Sequence, residues 1–182
     1  EHDSENIKGL LNKMSYTETD EMNDADLIIL NTCSIRENAH NKAFGMLGRI
    51  KHLKEETKRN DLIVALCGCM AQEEVVVQEI MQKYRFVNFV FGTHNLGDLP
   101  KLISESSNTN KTNFEVYSIE GSVVEDLPMV RNSKYKAFVN IIYGCDKFCT
   151  YCIVPYTRGK QRSRKMADIL REVDELIASG YK

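Results

Sequence analysis

The feature that most constrains this chain is a recurring alternation between short, uninterrupted apolar runs and longer stretches of helical periodicity. Residues 26–31 read Asp-Leu-Ile-Ile-Leu-Asn, residues 62–67 Leu-Ile-Val-Ala-Leu-Cys, and residues 87–92 Val-Asn-Phe-Val-Phe-Gly. Runs of this kind, apolar at successive positions, predict strands buried on both faces, as in a parallel sheet. Between them the apolar residues return every three or four positions. Ile35, Ala39, Ala43, Met46, Leu47, Ile50 and Leu53 mark one face of a helix from Ile35 to Lys58, with Ser34 as its N-cap. A second helix is expected over 70–84, a short third over 97–103, and one over 5–14 ahead of the first run. Strands alternating with helices predict an α/β fold, a parallel sheet wrapped by helices.

After the third unit the pattern lapses. Residues 104–114 are rich in Ser, Asn and Thr and read as a loop. We therefore expect a first domain at 1–103, a linker at 104–134 and a second unit at 135–182. The second unit holds a strand over 136–144 and an amphipathic helix over 165–179, with Met166, Ile169, Leu170, Val173 and Leu176 turned inward. It ends at Gly180, where a further strand is expected. The 182 residues amount to one domain and part of another, at roughly 100–200 residues per domain.

Composition excludes several classes. Apolar residues make up 42% and charged residues 27%, which disfavours disordered, collagen-like and coiled-coil chains. The longest apolar runs fall far short of the ~18 residues that span a bilayer, and the polar start is not a signal peptide. The net charge of −2 conceals an asymmetry. Between Arg131 and Lys165 lie nine of the 24 Lys and Arg but only one of the 26 acids, Asp146. Such a segment attracts phosphates, unless it is simply a solvated surface. Three of the six cysteines crowd into eight residues. That spacing argues for metal or redox chemistry in a reducing compartment, and so for a cytoplasmic protein.

Cys145-x3-Cys149-x2-Cys152 places three thiolates in one loop directly after a strand. Three cysteines on a cubane iron–sulfur cluster leave one iron open, whereas electron-transfer clusters use four. A structural zinc site, the alternative, wants a fourth ligand that no nearby His or Cys supplies. Cys33 and Cys69 each follow a buried strand and precede a helix. Both are thus expected at the carboxyl edge of the sheet, where open α/β folds bind ligands and helix N-termini favour thiolates. Cys33 could alternatively be a packing thiol, and Cys67 reads as a small buried hydrophobe at the strand end. Arg158, Arg162 and Arg164 follow the cysteine loop, with guanidinium groups suited to phosphate or carboxylate, and are candidate substrate or cofactor contacts if not a solvated loop. Phe148, Tyr151 and Tyr156 could stack on a base or pack in a core. His40, His52 and His94 have no ligand partners at useful spacing and read as surface or capping residues. Gly45 to Gly48 lacks the Lys-Ser/Thr of a phosphate loop.

The cysteine motif, with Tyr151 before its last cysteine, resembles the radical S-adenosylmethionine superfamily. Four stretches, residues 31–54, 66–74, 89–100 and 143–164, resemble the methylthiotransferases within it, notably Asn31-Thr32-Cys33 and Gly68-Cys69-Met70-Ala71-Gln72. The resemblance implies two 4Fe–4S clusters. One sits on Cys145, Cys149 and Cys152, with S-adenosylmethionine on the open iron and Tyr151 beside it. The auxiliary one sits on Cys33, Cys69 and a third cysteine expected upstream of Asp3-Ser4-Glu5, which this chain does not contain. The implied fold is a Rossmann- or flavodoxin-like domain lacking its first strand, followed by the first βα unit of a truncated radical SAM partial TIM barrel.

The implied reaction adds a methylthio group to N6-isopentenyladenosine at position 37 of tRNA, beside the anticodon. One S-adenosylmethionine methylates cluster-bound sulfur, and a second yields the 5′-deoxyadenosyl radical that takes hydrogen from the adenine ring. A ring C–H is too weakly acidic for general-base removal, which contributes about 10²–10⁴-fold; a radical route answers that need. Implied partners are the tRNA anticodon stem-loop and an electron donor such as flavodoxin or ferredoxin, with no membrane and a monomeric state. Sister activities act on threonylcarbamoyladenosine or on a ribosomal-protein aspartate; Met70-Ala71-Gln72 and the stretch 150–156 favour the first reaction. A different class, a non-catalytic iron–sulfur or metal-binding module, is separated by whether S-adenosylmethionine is cleaved. The 182 residues alone are expected to be inactive.

Overall fold

The computed structural model describes residues 2–35, 37–106, 113–115 and 127–181. Helix α1 (His2–Lys13) and a 3-10 turn at Met22–Asp24 precede strand β1 (Leu27–Thr32). Then come α2 (Glu37–Thr57), β2 (Ile63–Gly68), a 3-10 turn at Cys69–Gln72, α3 (Glu74–Lys83) and β3 (Phe89–Phe91). A 3-10 turn at Leu96–Asp98 leads into α4 (Leu99–Ser106), and β4 (Asn113–Glu115) follows. The remainder holds β5 (Ile142–Tyr143), α5 (Val154–Arg158), β6 (Arg162–Ser163) and α6 (Met166–Ala178).

The first four strands form one parallel sheet in the order β1-β2-β3-β4. Successive side chains of a strand point to opposite faces, and β2 divides accordingly. Val64 and Leu66 join Leu47 and Ile50 of α2 and Val76 and Ile80 of α3 in one core. Ala65 and Cys67 join Ile7 and Leu10 of α1 and Leu99 and Leu102 of α4 in the other. Both faces are covered, which is why the strands are apolar at successive positions instead of alternating. Phe89 and Phe91 are wholly buried in the second core, each worth about 1.5–3 kcal/mol relative to exposure.

Several local expectations need correction. Helix α2 starts at Glu37, so Ser34 lies in the bend upstream of it and is not its cap, and Ile35 is largely exposed. The helix expected over 70–84 divides at Glu73, whose extended backbone separates the 3-10 turn from α3. The region expected as a linker carries ordered pieces. Ser104 to Ser106 complete α4, and Asn113–Glu115 pair with Phe89–Phe91. Residues 127–132 run along α1, with Val130 N–H donating to the Glu5 carbonyl at 3.0 Å and Asn132 N–H to the Glu5 carboxylate at 3.1 Å. Residues 107–112 and 116–126 of that expected linker lie outside the described residues.

The strand expected over 136–144 contracts to two residues, Ile142 and Tyr143, paired antiparallel to Arg162 and Ser163. Its carbonyls have other donors: Phe138 O accepts from Arg131, Asn140 O from the Arg164 side chain, and Ile141 O from Arg164 N–H. At Phe138 and Asn140, arginine side chains take the hydrogen-bonding positions that a neighbouring strand would fill. No helix among the described residues is long and apolar enough to cross a membrane.

Candidate functional site

The carboxyl ends of β1 and β2 lie side by side, with Thr32 in register with Gly68. The Thr32 hydroxyl donates to the Cys67 carbonyl at 2.6 Å and ties the two ends together. Gly68 has φ of +93°, and a Cβ there would collide with the Thr32 backbone. Only glycine allows the chain to turn this closely against β1. Cys33 and Cys69 are the next residues after this pair, so both stand at the carboxyl edge, as their topology predicts. Cys33 is exposed, whereas Cys69 opens the 3-10 turn and is only 5% exposed.

A second segment closes over this edge. Arg158, the last residue of α5, donates from Nε to the Cys69 sulfur at 3.4 Å and from Nη2 to Asp3 Oδ2 at 2.9 Å. Burial disfavours the Arg158 cation, but Asp3 and Cys69 outweigh that and hold its pKa above the ordinary arginine value. Burial also works against the Asp3 carboxylate; hydrogen bonding from His2 and the Arg158 charge nevertheless hold its pKa below the usual carboxylate range. Arg162 Nη2 donates to the Arg158 carbonyl at 3.0 Å and approaches His94 Nδ1 at 3.5 Å. Burial, then the charges of Arg162 and Arg158, push the His94 pKa down and favour the neutral imidazole.

The sequence predicts a surface or capping role for His94; the structure instead turns it toward Arg162 from the loop after β3. Asp3 was likewise missed as a site residue. Position held the usable signal for His94, since Thr93-His94 follow the third strand as Cys33 and Cys69 follow the first two. Side-chain atoms at these strand ends are buried without a hydrogen-bond partner: Ser34 Oγ, Gln72 Nε2, Thr93 Oγ1 and His94 Nε2. Buried polar groups ordinarily find partners, so this edge is chemically suited to a further polar group with acceptor atoms, such as the sulfurs of an iron–sulfur cluster.

The three-cysteine loop lies between β5 and α5. Cys145 N–H donates to the Gly159 carbonyl at 3.0 Å, and Cys152 N–H to the Cys149 carbonyl at 2.9 Å. Gly144 and Phe148 both take positive φ. Phe148 stacks edge-on to Tyr156 at 5.8 Å between centroids, while Tyr151 is 90% exposed. Cys149 is exposed and Cys145 and Cys152 are partly so, and all six cysteines of the protein are free thiols. Among the described residues no three His, Cys, Asp or Glu side chains are gathered closely enough to hold one metal ion. A cubane 4Fe–4S cluster takes one thiolate on each iron, so three free thiols in one loop fit such a group by donor chemistry.

Arg164, expected near substrate, has its guanidinium directed inward. It is 7% exposed and donates to the Asn140 carbonyl at 2.9 Å and to Glu172 Oε2 at 2.6 Å. Glu172 also accepts from Arg131 at 2.7 Å, and Arg131 reaches Glu5, itself 1% exposed, at 3.1 Å. A carboxylate buried as far as Glu5 requires a cationic partner, which Arg131 supplies, while Arg164 and Arg131 together hold Glu172. Of the other histidines, His40 pairs with Glu73 and His52 with Glu56.

The profile of the family described as uncharacterized protein family UPF0004 matches residues 1–92. The chain belongs to this family. The UPF0004 match spans β1 to β3 with Cys33 and Cys69, and similarity to individual relatives continues through the cysteine loop. The chain is 55% identical over 182 residues to a Bacillus subtilis protein named tRNA-2-methylthio-N(6)-dimethylallyladenosine synthase. It is 54% identical over 181 residues to a Halalkalibacterium halodurans protein of that name and 52% identical to one from Staphylococcus epidermidis. Each comparison covers 100% of this chain but only 33–35% of the relative. The resemblance to methylthiotransferases read from the motifs is thereby borne out.

Proposed function

We propose that this chain forms part of a tRNA methylthiotransferase that adds a 2-methylthio group to N6-isopentenyladenosine at position 37 by radical S-adenosylmethionine chemistry. The observation that carries the reading is the identity of 52–55% along the whole chain to proteins named tRNA-2-methylthio-N(6)-dimethylallyladenosine synthase. The chain is divided between a sheet domain that extends through α4 to Ser106 and takes in Asn113–Glu115 as its fourth strand, and the opening of a partial barrel at 135–182.

Cys145, Cys149 and Cys152 hold one 4Fe–4S cluster, and Cys33 and Cys69 serve the auxiliary one. When bound, the three-cysteine cluster supplies an open iron for S-adenosylmethionine and the electron that cleaves its sulfonium. The chain's own residues do the rest. The Gly159 carbonyl fixes the Cys145 backbone, Phe148 and Tyr156 brace the loop against each other, and exposed Tyr151 offers a ring beside the cofactor. Lys147 and Lys160 belong to the basic run between Arg131 and Lys165, whose charge suits a phosphate backbone. A tRNA substrate and six free thiols agree with action in the reducing cytoplasm, with a reduced flavodoxin or ferredoxin as electron donor.

Anaerobic reconstitution of the full-length protein, followed by S-adenosylmethionine, reductant and isopentenylated tRNA, tests the reading. The expected products are 5′-deoxyadenosine and a 2-methylthio nucleoside detected by mass spectrometry. Cofactor cleavage is expected to vanish in Cys145→Ala. A wild-type protein that takes up iron and sulfide yet releases no 5′-deoxyadenosine would point to a non-catalytic module.

A further inference from the structure

We propose that Arg158 is a positioning residue for the Cys69 sulfur: its Nε–H holds that sulfur at the sheet edge and raises the reduction potential of the cluster that Cys69 serves. The inference rests on the reading above that Cys69 is a cluster ligand.

Three observations carry it. The Nε to sulfur contact of 3.4 Å joins residues 89 positions apart, and Cys69 is only 5% exposed, so little water competes with the donor. Second, Asp3 anchors the guanidinium at Nη2, and Arg162 holds the backbone carbonyl of the same residue. A planar fork anchored at Nη2 presents its Nε–H in a set direction, which a lysine ammonium cannot reproduce. Third, the next residue, Gly159, accepts the Cys145 N–H, and a Cβ on Gly144 would collide with the Gly159 and Lys160 carbonyls. The same two-residue segment thus touches a cysteine of each set.

Hydrogen bonds to ligand sulfurs and nearby charge tune cluster potentials. A donor and a cation beside the sulfur favour the state with more negative charge, the reduced one. Arg158 therefore makes the auxiliary cluster easier to reduce than it would be without it, and Asp3 contributes by aiming the guanidinium.

The test uses the full-length protein with Cys145, Cys149 and Cys152 replaced by Ala, so that only the auxiliary position remains. After anaerobic reconstitution, iron content is measured and the midpoint potential is read by a redox titration followed by electron paramagnetic resonance. The expected result is unchanged iron with a more negative midpoint in Arg158→Gln, and a smaller negative shift in Arg158→Lys, which keeps the charge but loses the Nε–H. An unchanged midpoint with iron retained overturns the role of Arg158 and leaves the cluster assignment standing. Failure of the protein with native Arg158 to take up iron in this background overturns both. If Arg158→Gln does not fold, Arg158→Lys, which leaves Asp3 and the local charge in place, decides alone: a negative shift there supports the inference, and no shift overturns it.

Discussion

Arg158 Nε lies 3.4 Å from the sulfur of Cys69, although α5 and the turn after β2 are separated by 89 positions in the chain. Arg131 makes a parallel connection, reaching Glu5 of α1 and Glu172 of α6 at once. The segment after residue 127 is therefore fastened to the sheet through charged side chains in sheltered places, not through a shared apolar core. Such fastenings respond to pH and to single charge changes in ways that the two apolar cores do not.

The cysteines should separate by reactivity in the metal-free, reduced protein. Cys33 and Cys149 are exposed, whereas burial, with Asp3 and Cys69 adding to it, pushes the Cys67 thiol well above its ordinary pKa. Thiolate is the reactive form. Alkylation followed by peptide mass spectrometry should mark Cys33 and Cys149 first and Cys67 only after unfolding. Native labelling of Cys67 at the rate of Cys149 would contradict the packing between β2, α1 and α4.

Truncation in the second core should be costly. Phe89 is fully buried and stacks with Phe91 at 5.8 Å between centroids. Phe89→Ala is expected to destabilise by about 3–5 kcal/mol in urea unfolding. Exposed Val75 provides the contrast, since surface changes usually stay within about 0.5 kcal/mol.

Two helical glycines should respond with opposite signs to alanine. Ala is favoured over Gly in a helix by about 0.8–1.0 kcal/mol. A Cβ at Gly45 meets nothing within 4 Å, so Gly45→Ala should stabilise. At Gly9 a Cβ would fall on the Pro128 carbonyl and Met129 N, so Gly9→Ala should destabilise by pushing the 127–132 segment off α1. Denaturation midpoints of the two variants decide the matter, and a stabilised Gly9→Ala would show that the segment does not rest there.

Acid should loosen the charged fastenings before the cores. Burial acts against the Glu172 carboxylate, but hydrogen bonds from Arg164 and Arg131 outweigh it and lower its pKa from the ordinary 4.5. Asp3 is lowered from 3.8 despite its burial. A carboxylate with a depressed folded-state pKa binds fewer protons folded than unfolded, so its stabilisation is complete above the ordinary value. It is lost as pH falls through the folded value. Stability should therefore decline below pH 4.5 and further below pH 3.8. Glu172→Gln should flatten the first part of that decline.

Much of the first 103 residues was legible from short-range pattern. The runs 26–31, 62–67 and 87–92 became Leu27–Thr32, Ile63–Gly68 and Phe89–Phe91, shifted by a residue or two. The positions of Cys33 and Cys69 at one sheet edge followed from the same pattern, because parallel strands place all their carboxyl ends together. The strand over 136–144 was less legible. Its apolar character was real, but extended backbone becomes a ladder only where a partner strand exists, and here arginines occupy its carbonyls.

Local residue order determined the α/β architecture, the two-sided burial of the strands and the grouping of three thiols on one loop, since each depends on neighbours within a few positions. Tertiary structure alone decided that Arg158 meets Cys69 and Asp3, that Arg162 faces His94, and that Arg164 turns inward to Glu172. These partners are charged or polar groups brought together only when distant segments pack, and no periodicity along the chain records which cation will satisfy which buried anion.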